Sequence, residues 1–278
     1  MKIIYINEGG FCFGVRRAIK IAENNPGSVI IGGEIIHNAD EVARLKNDFG
    51  VIPQENGSYI AGGQTAIIRA HGIPKEMEQE LRDRGVIIKD ATCPNVKELQ
   101  CLVEKFSIDG FHIILVGAAN HPEVIGVLGY AHGTITVVEN LEDIENIKTT
   151  NNKIAIFAQT TANPELFRLV YKKLCEKYRQ VTTQDTICKA ISIVQSRVAE
   201  IAKQIANNGI FIVVGGKNSS NTKVLAQIAG EHCETYHIQT ADDLKREWFN
   251  GVDACGLVAG SSTPSYVINN VKSALENL

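Results

Sequence analysis

The sequence predicts an α/β protein made of three pseudo-equivalent small modules with mainly parallel sheets. Short apolar runs rich in β-branched residues alternate with segments of helical periodicity, which is typical of parallel βαβ units. In addition, one pattern occurs three times along the 278 residues: a strand, a polar turn, a cysteine and then a helix. We expect the modules to span residues 13–93, 94–188 and 189–278, with residues 1–12 contributing to the third.

The predicted strands are apolar runs without strict alternation, as expected for strands that are buried on both faces. They are Ile3–Ile6, Val29–Ile31, Ala66–Ile68, Val86–Ile88, Ile113–Val116, Ile154–Phe157, Ile210–Val214 and Gly256–Ala259. Helical spacing of apolar residues predicts helices over Val15–Glu23, Lys75–Arg84, Val96–Phe106, Pro164–Lys177, Ala190–Ala206 and Thr222–Ala229. Because ligands bind at the carboxyl ends of parallel strands, residues just after these runs are candidates for a functional site.

Composition and charge exclude several classes of protein. The 28 Lys and Arg against 31 Asp and Glu give a formal net charge of −3, so nucleic acid gains no electrostatic attraction. No stretch approaches the roughly 18 apolar residues of a membrane span, and the apolar run near the N-terminus is too short for a signal peptide. We therefore expect a cytoplasmic protein that binds neither nucleic acid nor membrane, and whose seven cysteines stay reduced.

Three cysteines follow the repeated pattern and are candidate metal ligands. Cys12, Cys93 and Cys188 each lie between a polar turn and the start of a predicted helix, where free N–H groups and the helix dipole favour the thiolate. Thiolates bind soft metals and iron–sulfur clusters, and three of them would leave one iron of a cubane without a protein ligand. A packed turn residue is the alternative for any single one. The remaining four are expected to be core or surface thiols: Cys101, Cys175, Cys233 and Cys255.

Three histidines and two polar loops also follow predicted strands. His37, His71 and His121 have matching positions, which favours a shared anionic or metal site over three unrelated exposed rings. The segments 215–222 and 260–265 combine small residues, hydroxyls and amides, which suit phosphate oxygens at the N-terminus of a helix. Ordinary helix capping by Ser and Thr is the alternative for either loop alone.

Glu123 is the candidate proton donor. It is the carboxylate of a His-Pro-Glu segment that follows a predicted strand. The segment Gln159-Thr160-Thr161, after another strand, would place a hydroxyl beside it. The alternative for Glu123 is a purely structural one, a favourable interaction with the dipole of a helix that begins there.

Taken together, these segments resemble the 4-hydroxy-3-methylbut-2-enyl diphosphate reductase family of the non-mevalonate isoprenoid pathway. The segments that carry the resemblance are Gly10-Phe11-Cys12-Phe13-Gly14-Val15, Arg69-Ala70-His71-Gly72, Asp90-Ala91-Thr92-Cys93-Pro94, Asn120-His121-Pro122-Glu123-Val124, Gln159-Thr160-Thr161, Asp185-Thr186-Ile187-Cys188, Lys217-Asn218-Ser219-Ser220-Asn221-Thr222 and Ser261-Ser262-Thr263-Pro264. They follow the family's order and extend over nearly the whole chain. Glu8-Gly9, Ala158, Ile191 and Ser261 differ from the residues expected there, and none of these positions is a ligand or the proton donor.

The resemblance implies a cofactor and a set of site residues. It implies three modules around a central cavity with one [4Fe–4S] cluster per chain, held by the three thiolates of Cys12, Cys93 and Cys188. The residues that it implies for substrate binding are His37, His71, His121, Thr160, Ser219, Ser220, Asn221 and Ser262, the last four contacting the diphosphate. The implied catalytic residues are Glu123, which supplies protons, together with His121 and Thr160.

The implied reaction is a two-electron reductive dehydroxylation at the open iron of the cluster. It would convert (E)-4-hydroxy-3-methylbut-2-enyl diphosphate to isopentenyl diphosphate and dimethylallyl diphosphate, with electrons from a donor of the ferredoxin or flavodoxin type. Two alternatives remain: an open-cluster hydro-lyase of the aconitase type, and a non-enzymatic protein in which the cysteines hold zinc or a sensing cluster. The two Ser/Asn loops favour a diphosphate substrate over both.

Overall fold

The computed structural model describes residues 1–55, 57, 60–147, 149 and 153–277, in which strands and helices alternate along the chain. The strands are β1 (Lys2–Tyr5), β2 (Val29–Ile31), β3 (Ile52–Gln54), β4 (Thr65–Ile68), β5 (Ile87–Asp90), β6 (His112–Val116), β7 (Ile135–Val138), β8 (Lys153–Ala158), β9 (Gln180–Thr183), β10 (Gly209–Val214), β11 (Glu234–Ile238) and β12 (Ala254–Ala259). The α-helices are α1 (Phe13–Glu23), α2 (Ala39–Phe49), α3 (Lys75–Asp83), α4 (Pro94–Ile108), α5 (Pro122–Leu128), α6 (Pro164–Lys177), α7 (Lys189–Gln204), α8 (Ser220–Gly230) and α9 (Ser265–Glu276). Short 3₁₀ helices cover Leu141–Asn146, Ala241–Asp243 and Arg246–Phe249.

Within the described residues, the strands form three four-stranded sheets in which every pair is parallel. Their strand orders are β3-β2-β4-β5, β7-β6-β8-β9 and β11-β10-β12-β1. We number the strands of each sheet along the chain and count β1 as the fourth strand of the sheet that contains β10, β11 and β12. The strand order is then second, first, third, fourth in every sheet. This arrangement confirms the predicted α/β class with three similar modules.

The chain divides into two compact units. One unit consists of residues 1–15, 37–41 and 189–278 and contains the sheet of β10, β11, β12 and β1. The other consists of residues 16–36 and 42–188 and contains the other two sheets. The module boundaries at residues 93 and 188 stay a prediction.

Side chains of the central strands are buried on both faces of their sheets. In β6, Ile114 and Val116 belong to one hydrophobic core and Ile113 and Leu115 to another. In β10, Phe211 and Val213 belong to one core, whereas Ile210, Ile212 and Val214 belong to a second. This two-sided burial explains why the sequence shows continuous apolar runs, because a strand that is covered on both faces has no polar side.

Several elements are not evident in the sequence. The strands β3, β7 and β11 all lie at sheet edges, where a strand has one neighbour and tolerates polar residues such as Gln54 and Thr136. The helices α2, α5 and α9 are also absent from the predicted set. One of these helices, α5, carries Glu123, so its absence from the prediction bears on function.

Candidate active site

The predicted site residues occupy the same three positions in each sheet, all after the carboxyl end of a strand. Here the strands of a sheet are counted along the chain, with β1 as the fourth strand of its sheet. After the first strands β2, β6 and β10 come, respectively, His37, then His121 with Glu123, and then Ser219, Ser220 and Asn221. After the third strand come His71, Thr160 or Ser262. After the fourth strand come Cys93, Cys188 or Cys12, each directly before a helix. The repeated fold therefore explains why functional residues recur along the chain at intervals of about one module.

The three cysteine turns have the same backbone hydrogen bond. The N–H of Cys93 donates to the carbonyl of Ala70 at 2.9 Å, and that of Cys188 to Thr160 at 2.9 Å. In the other compact unit, the N–H of Cys12 donates to Ser261 at 3.1 Å. In each sheet the acceptor belongs to the segment after the third strand. The three turns are thus structurally equivalent, as the sequence pattern predicts.

The aspartates that precede two of these cysteines stabilise the turns. Asp90 accepts the N–H of Thr92 at 2.8 Å, and Asp185 accepts the N–H of Ile187 at 3.1 Å. Arg17 of α1 adds a further contact, because its guanidinium donates to the carbonyls of Asp90 and Thr92, both at 3.1 Å. The turn before Cys93 is therefore held from two sides.

The thiols of these cysteines suit an iron–sulfur cluster. None of the three takes part in a disulfide bond, and all three are partly exposed. The Sγ of Cys12 accepts the N–H of Val15 at 3.5 Å, and the Sγ of Cys188 accepts the side-chain amide of Asn95 at 3.1 Å. Donors of this kind around cysteine sulfur are among the means by which proteins tune such clusters. The donor set therefore fits the group that the sequence predicts.

The other cysteines differ from these three. Cys101 on α4 and Cys175 on α6 are exposed, and Cys233 is half-buried. Cys255 is fully buried in β12, and burial raises the pKa of its thiol to about 12. A thiol that stays protonated at neutral pH is a poor ligand. These positions agree with the expected core and surface thiols.

Glu123 lies in the first turn of α5, where its side chain is only 2% exposed. Its carboxylate accepts the backbone N–H of Thr160 at 2.7 Å and the Thr160 hydroxyl at 2.8 Å. Burial raises the pKa of Glu123 to about 7, although both hydrogen bonds from Thr160 act in the opposite direction. The carboxyl group can therefore both hold and release a proton near neutral pH, which is the property required of a proton donor.

His121 lies two residues before Glu123 in the chain, and the His71 ring lies beside the His121 ring. His121 caps α5, and its Nδ1 accepts the N–H of Glu123 at 3.1 Å. A neutral His121 ring therefore carries its proton on Nε2. The His71 and His121 rings meet edge to face, with centroids 5.3 Å apart. The segment around His71 packs against α5, where a Cβ at Gly126 would lie 3.4 Å from the His71 carbonyl oxygen.

The start of α8 and the loop before it contain three of the four predicted diphosphate-binding residues. Ser219 caps the helix, and its Oγ accepts the N–H of Thr222 at 3.3 Å. Ser220 is the first helical residue, and Asn221 is buried, with its Oδ1 left without a donor among the described residues. Helical N–H groups with hydroxyl and amide side chains form a site that suits an anion. The capping expected of an ordinary helix start is present as well, in the Ser219 contact.

The loop after β12 packs tightly against the start of α8. A Cβ at Gly260 would lie 2.1 Å from the Thr222 hydroxyl, so only glycine fits there. Ser262 donates its hydroxyl to the carbonyl of His37 at 3.2 Å, and Asn38 donates to the Ser262 carbonyl at 3.1 Å. His37, which lies six residues beyond β2 rather than directly after it, is thereby joined to this loop.

The structure thus forms two groups of site residues, one in each compact unit. One group contains His37, Ser219, Ser220, Asn221 and Ser262, with Cys12 in the same unit. The other contains His71, His121, Glu123 and Thr160, with Cys93 and Cys188 in the same unit. Three further polar residues of these segments were not singled out from the sequence: Arg17, Asn38 and Asn95. Asn95 could have been singled out, because it is a polar residue directly after Cys93-Pro94. Arg17 could not, because it contacts residues 73 and 75 positions further along the chain.

Within the described ranges, no helix is both long and apolar enough to cross a bilayer.

Residues 3–276 match the family model described as LytB protein. Two relatives are named 4-hydroxy-3-methylbut-2-enyl diphosphate reductase. The one from Aquifex aeolicus (strain VF5) is 45% identical over 285 residues, covering 99% of this chain and 96% of its own length. The one from Helicobacter pylori (strain Shi470) is 42% identical over 279 residues, covering both chains completely.

Two solved structures are also similar. One, of (E)-4-hydroxy-3-methyl-but-2-enyl diphosphate reductase, described as the terminal enzyme of the non-mevalonate pathway, is 44% identical with a TM-score of 0.69, covering 100% of this chain and 99% of the other. The other, of the E-1-hydroxy-2-methyl-but-2-enyl-4-diphosphate reductase from Plasmodium falciparum, is 29% identical with a TM-score of 0.93, covering 99% of this chain and 88% of the other.

Proposed function

Because the chain belongs to the LytB protein family, we propose that it reduces (E)-4-hydroxy-3-methylbut-2-enyl diphosphate to isopentenyl and dimethylallyl diphosphate. The proposal includes a [4Fe–4S] cluster bound by Cys12, Cys93 and Cys188. The observation that carries it is the equivalence of these three cysteine turns, each with its N–H bonded to the segment after the third strand of a sheet. No such equivalence is expected of cysteines that merely fill a core.

The cluster would supply two electrons, one at a time, and a Lewis-acidic iron for the departing hydroxyl group. The protein's own residues have the remaining tasks. Ser219, Ser220, Asn221 and Ser262 bind the diphosphate through hydroxyl, amide and helical N–H donors. These are neutral donors, so the site binds the anion by directed hydrogen bonds rather than by a cluster of cations.

Proton delivery is assigned to Glu123. The protonated carboxyl gives its proton to the leaving hydroxyl group, so that water departs. Thr160 fixes both carboxylate oxygens through its N–H and its hydroxyl. His121 and His71 contact the substrate, His121 as a donor through Nε2 because its Nδ1 is engaged by the N–H of Glu123. After the C–O bond breaks, a second proton completes the hydrocarbon, and its position decides between the two products.

The compartment and the electron donor are part of the same proposal. None of the seven cysteines takes part in a disulfide bond, which agrees with the reducing conditions of the cytoplasm. A reduced ferredoxin or flavodoxin would supply the electrons singly.

The first test is the chemistry of the purified protein under anaerobic conditions. We expect iron and sulfide in the ratio of a [4Fe–4S] cluster, visible absorption that bleaches on reduction, and turnover with reduced methyl viologen that consumes two electrons per product. A reduced ferredoxin or flavodoxin should replace the viologen. Dehydration of a substrate without electron consumption would indicate the hydro-lyase, and bound zinc without visible absorption would indicate the metal-binding protein.

Single cysteine variants test the ligand assignment. Cys12→Ser, Cys93→Ser and Cys188→Ser should each lose most of the cluster iron and the activity. Cys101→Ser and Cys175→Ser are matched controls, since both thiols are exposed on helices. Full iron content in Cys93→Ser, measured by metal analysis, would contradict the assignment.

A further inference from the structure

Asn95 lies in the first turn of α4, two residues after Cys93. Its side-chain amide donates a hydrogen bond to the Sγ of Cys188, with 3.1 Å between Nδ2 and Sγ. The residues in this contact are 93 positions apart in sequence. A side chain from one cysteine turn therefore contacts the sulfur of another.

The position of Asn95 is well determined. Cys93 caps α4 and Pro94 is its first residue, with the Cys93 carbonyl accepting the N–H of Lys97 at 2.9 Å. The Cys93 N–H is itself bonded to Ala70. The backbone of Asn95 thus belongs to a hydrogen-bonded helix start, from which its side chain extends to Cys188.

The three cysteine turns are unequal in this respect. The residue two positions after the cysteine is Asn95 in one turn, Gly14 in another and Ala190 in the third. Neither glycine nor alanine carries a side-chain donor. In Cys12, the sulfur instead accepts a backbone N–H, that of Val15. Asn95 therefore adds a donor that the equivalent positions of the other two turns lack.

We propose that Asn95 is a positioning residue, which orients the sulfur of Cys188 through this hydrogen bond. The same hydrogen bond makes the cluster that Cys188 would bind easier to reduce. The inference rests on the proposed function, since it takes Cys188 as a cluster ligand. One-electron reduction adds negative charge to the cluster and its sulfur ligands. An N–H donor directed at a ligand sulfur stabilises that added charge, which raises the reduction potential.

The experiment compares the reduction potential of the cluster-loaded wild type with that of Asn95→Leu, in which a side chain of similar size lacks the donor. Dithionite supplies the electrons, and the fraction of reduced cluster is followed by electron paramagnetic resonance. At the wild-type midpoint potential, we expect the ratio of reduced to oxidised cluster to fall about three- to tenfold in Asn95→Leu. A tenfold change corresponds to about 59 mV for a one-electron couple.

Two further variants separate this role from a general structural one. In the wild type, the side-chain amide of Gln184 donates to the Glu98 carboxylate of α4 at 3.3 Å. This hydrogen bond also joins α4 to the segment before Cys188, but it does not involve the sulfur. Gln184→Leu removes it and is therefore the control. We expect Gln184→Leu to keep the wild-type potential. Asn95→Gln keeps an amide donor on a longer side chain and should recover part of the shift.

The outcomes distinguish the inference from the function on which it rests. A wild-type protein that takes up no cluster would contradict the proposed function. A cluster that loads normally, with the same potential in Asn95→Leu and wild type, would overturn the role of Asn95 while leaving the function intact. An equal shift in Gln184→Leu and Asn95→Leu would also overturn it, because the effect would then belong to the packing of α4.

Discussion

At the scale of single residues, the buried carboxyl group of Glu123 is the most informative feature of the site. A carboxylate at 2% exposure is costly, and two hydrogen bonds from Thr160 offset only part of that cost. The resulting pKa of about 7 means that protonated and ionised forms are both populated near neutrality. A merely structural glutamate at a helix start would be exposed and ionised.

Glu123→Gln should keep the geometry and remove the proton. The Gln oxygen can still accept the Thr160 N–H, and the Thr160 hydroxyl can rotate to accept from the new amide. We expect kcat to fall by about 10²–10⁴-fold, the usual contribution of general acid catalysis, with cluster content and KM nearly unchanged. Steady-state kinetics with reduced methyl viologen would measure this, and near-normal turnover would move the acid role to another group.

The pH profile gives a second measure of the same role. If Glu123 delivers its proton as proposed, kcat should decrease as the pH rises above about 7. The hydroxyl of Thr160 favours the ionised form, so Thr160→Val should move this decrease to higher pH. A profile that does not move would show that another group controls the alkaline limb.

At the scale of elements, the proposed anion binding depends on two loops that meet at the start of α8. We expect Asn221→Ala and Ser262→Ala each to raise KM for the diphosphate substrate by about 10- to 100-fold, because a hydrogen bond to a charged group contributes about 1.5–3 kcal/mol. Ser273→Ala is the matched control, since Ser273 is exposed on α9 and lies outside both loops. Unchanged KM in both variants would contradict the assignment of this loop.

The elements also show what the sequence allowed to be predicted. Central strands such as β6 and β10 were evident, because burial on both faces leaves a continuous apolar run. The edge strands β3, β7 and β11 were not, because one exposed side permits polar residues. The helix α5 has only seven residues, too few for a periodic pattern, so the burial of Glu123 within it was not predictable. The contact between Glu123 and Thr160 joins positions 37 residues apart and depends on the packing of the sheet.

At the scale of the whole molecule, two buried titratable groups affect stability in opposite directions. The native state keeps a proton on Glu123 between its ordinary pKa of 4.5 and about 7, so stability decreases as the pH rises through that range. Burial lowers the pKa of His112 below its ordinary 6.5, so this group decreases stability as the pH falls below that value. The fold is therefore less stable at neutral pH than its packing alone would allow.

Replacing Glu123 by Gln should remove one of these effects. We expect Glu123→Gln to be more stable than wild type by about 1–3 kcal/mol at pH 8, and the difference to shrink as the pH decreases toward 5. Thermal melting of the cluster-loaded proteins at the two pH values would measure it. A variant that is less stable than wild type at pH 8 would mean that Glu123 raises the free energy of unfolding instead of lowering it.

The participation of β1 in the third sheet has a consequence for how the protein is made. Residue 2 pairs with residue 254, and the turn that carries Cys12 is bonded to Ser261. During synthesis from the N-terminus, β1 leaves the ribosome long before its partner strand exists, whereas the turns of Cys93 and Cys188 are bonded to residues translated before them. Cys12 therefore reaches its native position only after β12 and Ser261 have been translated. The proposed cluster could then gain its third ligand only after this later strand has emerged from the ribosome, and until then the early strand must be kept from pairing with other chains.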